Sequence, residues 1–121
     1  MAYYLLDVQI TPSLNAGKAI EQWLGVDKRQ DYNVLKWIRI DKNKSLFDVT
    51  YFESFDDGDE IFLDIYSFSS VDADEPYGLT SAFPTLTEAL QFASTHYGAK
   101  PDKYVLDGNI QQEYRAYLTT K

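Results

Sequence analysis

Cysteine is absent from the 121 residues, so neither disulfide bridges nor thiolate nucleophiles are available. That fits a reducing compartment, or simply a protein that needs no bridges; with no signal-peptide or membrane-span pattern either, we expect a cytoplasmic protein. Histidine occurs once, at His96. One imidazole and no thiolate do not easily provide the ligand cluster that a zinc centre needs. The six glycines are scattered singly, so no glycine-rich loop cradles a phosphate. No G-x-S-x-G nucleophile elbow is present. No apolar run approaches the ~18 residues of a membrane span. The opening MAYYLLDVQI has no basic n-region, and Asp7 interrupts its apolar run, so it does not read as a signal peptide.

Positive charge is also missing from the middle of the chain. Between residues 45 and 99 there is no lysine or arginine, against eleven acids: Asp48, Glu53, Asp56, Asp57, Asp59, Glu60, Asp64, Asp72, Asp74, Glu75 and Glu88. The rest carries eight acids and eleven bases, and the whole is −8. Such a field repels nucleic acid and membrane surfaces and attracts basic partners.

What the chain does have is apolar bulk, 45% of residues, and rings, 16%. It can bury a core, and its length suits a single domain spanning 1–121. YYLLDVQI at 3–10 alternates as a first strand, closed by Thr11-Pro12-Ser13. Ala16, Ala19, Ile20, Trp23 and Leu24 recur at helical spacing and predict a helix over 15–24, capped by Gly25. NVLKWIRI at 33–40 and LFDVTYFESF at 46–55 read as strands around the turn DKNKS, and IFLDIYSFSSV at 61–71 as the next strand. A fourteen-residue loop fills 71–84. Thr85 and Glu88 have capping-box spacing for a helix over 86–97 that stops at Gly98. KYVL at 103–106 is a short strand or an extended link, and a last helix starts near Asn109. The order β-α-β-β-β-α-α predicts an α+β domain, with a mostly antiparallel sheet of four to five strands and helices packed on one face.

The strand pattern puts Val49, Tyr51 and Phe55 on a core face with Ile61, Leu63 and Ile65. Glu53 falls there too, at a rim or a bulge. The other face collects Trp37, Phe52, Phe62, Tyr66 and Phe68 among Arg39, Asp48, Thr50 and Asp64. That is too many rings for a solvated face. Either the C-terminal helix or the 71–84 loop covers it, or it meets a partner, or it pairs with a second copy in a homodimer. Base stacking is the poorer account, since Asp48 and Asp64 among the rings would repel phosphates.

Two acidic stretches frame that face. Asp56-Asp57-Gly58-Asp59-Glu60 lacks calcium-loop spacing and reads as a hairpin turn, with Gly58 supplying a positive φ. Asp72, Asp74 and Glu75, followed by Tyr77, lack a closing Glu at the right distance. We expect no metal and no cofactor. His96 reads as a favourable charge at a helix C-terminus rather than as a base. Acids are too abundant for any one pair to stand out as catalytic, so we expect binding rather than catalysis. The two stretches bracket one predicted strand, about 33 Å long.

In size, acidity and lack of a catalytic set, the whole chain resembles bacterial immunity proteins, which neutralise toxins delivered between competing cells. DDGDE, DADEPY and the ring-bearing strands between them carry the resemblance, and acidic anti-nuclease phage proteins share the same character. It implies tight binding to a basic toxin nuclease by occlusion of its positive surface. The contact residues would be Asp56, Asp57, Asp59, Glu60, Phe62, Asp64, Tyr66, Asp72, Asp74, Glu75 and Tyr77. The physical rationale is separate from the family: carboxylates steer a cationic partner and rings anchor it. Two alternatives remain. One is a small ligand-binding domain or enzyme with an acid and tyrosine in a pocket between sheet and helices. The other is a homodimeric housekeeping subunit.

Overall fold

The computed structural model describes residues 4–59 and 61–120. Glu60 and the start of the predicted first strand, at Tyr3, lie outside them. The elements run α1 (Asp7–Asn15), β1 (Ile20–Lys28), β2 (Asn33–Asn43), β3 (Leu46–Phe55), a 3-10 turn (Ile65–Ser67), β4 (Leu79–Phe83), α2 (Leu86–Tyr97), β5 (Val105–Leu106) and α3 (Ile110–Thr120). The strands form one antiparallel sheet in the order β4-β3-β2-β1-β5. This is an α+β fold. No helix among the described residues is long and apolar enough to cross a membrane.

The β2–β3 hairpin is the centre of the sheet. Ten cross-strand pairs run from Val34–Phe55 to Asn43–Leu46. The expected five-residue turn shrinks to Lys44-Ser45, because Asp41, Lys42 and Asn43 still pair, and Lys44 takes φ 59°. α2 forms as expected. Thr85 Oγ1 accepts from the Glu88 amide at 3.2 Å, and Gly98 closes the helix at φ 74°. Its stripe of Leu86, Ala89, Leu90 and Ala93 packs on the sheet.

Three local readings are corrected. The expected first strand is helical from Asp7. Gln9 Oε1 accepts from the Leu6 amide, and Ile10 and Leu14 are buried while Leu6 and Val8 face solvent, which is a helical pattern of burial. Pro12 lies inside this helix rather than ending a strand. Half of the expected helix over 15–24, residues 20–24, is β1, and Asn15 ends α1. Pairing to β2 and β5 on both sides overrides its apolar spacing, and Gly25 (φ 122°) marks a bulge, not a cap. The expected strand over 61–71 keeps only one bridge, Ser54 to Ser70. The outer place beside β3 goes instead to β4, drawn from the expected loop.

The helices divide between the two faces instead of sharing one. Ile38, Ile40 and Val49 pack under α1 and α2. The alternate residues Leu35 and Trp37 pack under α3, with Ile65 and Phe68 from the segment before β4. The ring-bearing face is therefore largely covered by the chain itself.

Candidate functional site: a ring-lined cavity

The register sets Trp37 opposite Phe52, and their rings stack at 4.0 Å and 12°. Tyr66 meets Trp37 edge-on at 5.5 Å. On one side α3 closes the face, with Tyr114 against Phe68 and Trp23. On the other side residues 56–59 and 61–78 arch over it and leave a cavity of about 500 Å³. Trp37, Phe52, Tyr66, Phe68 and Tyr77 turn their rings to it, and Tyr51 borders it with its ring stacked on Tyr97 of α2. Among the described residues Asp72 and Glu75 line it too, against a single cation, Arg39; Glu53 borders it, but its carboxylate accepts from the Tyr51 hydroxyl on the face under α2.

The arch is built by its own carboxylates. Asp59 Oδ1 accepts from the Ile61 and Phe62 amides, both at 2.9 Å, and these bonds hold its carboxyl below the ordinary range. Asp57 accepts from the Ser69 amide at 2.9 Å, and Asp64 from the Ser67 hydroxyl at 2.8 Å. Asp56 accepts from the hydroxyls of Tyr114 and Tyr117 on α3. Side chains that bond nearby amides offer the backbone an alternative to a ladder, which is why residues 61–71 do not form the expected strand. The chain folds back instead. Asp57 touches Ser69, three residues before Asp72, or at most about 11 Å of chain. The two acidic stretches expected at opposite ends of a 33 Å strand are thus brought together.

Gly58 is required for closeness, not for a positive φ. It is not among the positive-φ glycines, and an added Cβ would collide with the Phe62 carbonyl and the Phe68 ring. Gly78 does need the left-handed region, at φ 84°, where the arch returns to the sheet.

Behind the cavity wall lies a buried ion network that the sequence reading missed. Glu21 is fully buried on β1, paired across the ladder with Arg39. Arg39 Nη1 donates to Glu21 at 2.9 Å and to Asp107 at 2.7 Å. The Tyr66 hydroxyl donates to the Glu21 carboxylate at 2.7 Å, and the Gly108 amide donates to Glu21 at 3.1 Å. Burial pushes the Glu21 carboxyl above its ordinary value, although Tyr66, Arg39 and Gly108 pull it down. Burial, then the bond to Glu21, holds the Tyr66 phenol far above its own ordinary range. The network fixes Tyr66 as a wall and neutralises Arg39. The signal in the sequence was an acid beside Ile20 and Trp23, hidden by the reading of that stretch as a helix.

Of the expected contact residues, Tyr66, Asp72, Glu75 and Tyr77 line the cavity. Asp74 lies beside it on the exposed loop, its amide donating to Asp72 at 2.9 Å. Phe62 is half-exposed, edge-on to Phe68 at 5.2 Å, outside the lining. Asp56, Asp57, Asp59 and Asp64 hold the arch. His96 stacks on Phe92 in the last turn of α2. Among the described residues no group of three or more His, Asp or Glu could hold a metal ion. Chemically, the cavity offers ring faces to a flat or cationic group, with carboxylates around it and its one cation already paired.

Comparison with known protein families, with characterised proteins and with solved structures finds no match.

Proposed function

We propose that this chain binds a basic protein partner, and that it acts in the manner of an immunity protein, covering the cationic surface of a toxin nuclease. One observation carries this reading. Among the described residues the ring-lined cavity is bordered by the acids Asp72 and Glu75, while its only cation, Arg39, is neutralised by Glu21 and Asp107. Rings that desolvate and acids that steer are what a cationic partner needs. The arch carboxylates act one step removed, by folding residues 61–69, which carry Tyr66, back over the sheet.

The test is capture of partners from lysate of the source cells at low and at high salt. Each captured protein is then assayed for nuclease activity with and without an equimolar amount of the chain. A basic nuclease that is captured and silenced, with binding weakened by salt and by Asp72→Asn/Asp74→Asn/Glu75→Gln, supports the proposal. Capture of acidic or uncharged partners alone, or of a nuclease left fully active, removes it. A second reading, a small-ligand site, is favoured by the cavity's size, which lies in the range of ligand pockets. Native mass spectrometry of the purified chain would show a retained ligand mass in that case.

A further inference from the structure

We infer that the cavity is an anchor pocket for an arginine of the partner, whose guanidinium lies on the rings while a neighbouring peptide carbonyl accepts from Trp37 Nε1. The inference rests on the reading of a basic protein partner and names the group by which it is held.

Three observations converge. First, the Trp37 indole N–H is the one buried side-chain polar atom without a hydrogen-bond partner among the described residues. Trp37 is 2% exposed and forms part of the cavity lining. A buried donor left unpaired is costly, so an occupant that brings an acceptor gains more than its contact area. Secondly, the rings suit a planar cation. Trp37 and Phe52 stack as a floor, Tyr66 is fixed by Glu21, and Tyr77 stands 86% exposed at the mouth, a large ring with no cover of its own. Guanidinium stacks on such faces, and it is more weakly hydrated than ammonium, so it is moved out of water at lower cost. Thirdly, among the described residues the lining carries two acids on this side, Asp72 and Glu75, against one paired cation. This disfavours an anionic ligand, and it disfavours a second copy of this acidic chain. A free amino acid would bring its own carboxylate to those acids. An arginine inside a peptide brings the cation and the carbonyl without it.

The probes are Nα-acetyl-arginine amide, its neutral citrulline isostere, and methylguanidinium, which lacks the carbonyl. Each is titrated against the full chain, followed by tryptophan fluorescence and by amide NMR shifts. The arginine probe should saturate and map to residues around Trp37, Tyr66 and Tyr77. The citrulline isostere should bind roughly tenfold more weakly, having lost the charge over the rings. Methylguanidinium should also bind more weakly, and Trp37→Phe should narrow the gap between it and the arginine probe. Tyr77→Ala changes only an exposed side chain, so it tests the pocket without risk to the core, and it should weaken the arginine probe severalfold. Equal binding of arginine and citrulline, no saturable change with arginine, shifts that map elsewhere, or no effect of Tyr77→Ala would each overturn the inference. If the arginine probe fails while a captured basic protein still binds in a salt-dependent way, the anchor falls and the partner reading stands. If both fail, both are gone.

Discussion

Replacing Arg39 by Met should strand the Glu21 carboxylate, and the cost can be worked from its surroundings. Glu21 has 0% side-chain exposure, whereas Arg39 keeps 30%. Removing one partner from a fully buried ion pair costs about 3–5 kcal/mol. Here the Tyr66 hydroxyl and the Gly108 amide still reach the carboxylate, and Arg39 is partly solvated, so about 2 kcal/mol is expected at neutral pH. The lost contact to half-exposed Asp107 adds little. For a chain of this size the loss lowers Tm by roughly 8 °C. The pH dependence follows from the direction of the shift. Burial already holds Glu21 above its ordinary value of 4.5. A carboxyl raised in the folded state favours folding most when protonated, and that contribution is lost as pH rises from the unfolded value through the folded one. Without Arg39 the folded value climbs further. The deficit of Arg39→Met against wild type should therefore be small near pH 4 and grow as pH rises through the new folded value. Urea unfolding followed by tryptophan fluorescence, with both proteins at the same pH, measures it. Adding Glu21→Gln should recover most of the loss, since a neutral amide needs no cation. An equal deficit at low and neutral pH, or a double variant no more stable than Arg39→Met, would refute the reasoning.

Gly58→Ala should destabilise by about 1–3 kcal/mol, because the new methyl would meet a backbone carbonyl and two rings that cannot all withdraw. Thermal unfolding checks this, and an unchanged Tm would show that the arch is loosely packed. Asp59 is held below its ordinary value of 3.8 by the Phe62 and Ile61 amides. Its contribution is present above that value and lost as pH falls through the folded one. Asp59→Asn should thus lessen the drop in stability on acidification, read as a flatter stability–pH profile between about pH 5 and pH 2.

Some of this was legible because local and tertiary signals agree. β2 and β3 are rich in β-branched and aromatic residues with an exposed polar turn, and α2 carries both its caps. Trp37, Phe52, Tyr66 and Phe68 were placed on one face by alternation, and they do lie together there. Other parts were not, because the deciding partner lies far along the chain. Ile20 to Leu24 satisfy a helical period, but β2 pairs along Ile20 to Trp23 and β5 with Ile20 and Glu21, and they claim the backbone. The stretch 61–71 alternates like a strand, yet Asp57, Asp59 and Asp64 take its amides and hydroxyls. Acids that read as a free docking turn are spent on shaping the arch. Tyr66, Asp72, Glu75 and Tyr77 were found because they are large or charged at a loop. Glu21 was not, because a buried acid announces itself only through Arg39 and Tyr66.

β4 is the outermost strand on its side of the sheet, and its LTSAF stretch carries neither charge nor proline. Such a rim is a template on which a foreign strand can lengthen the ladder. Its shortness, five residues ended by Pro84, is its main safeguard. Concentrated preparations should accordingly be most prone to sheet-to-sheet clumping when the net charge is neutralised near the pI of about 4.4, where repulsion no longer keeps rims apart.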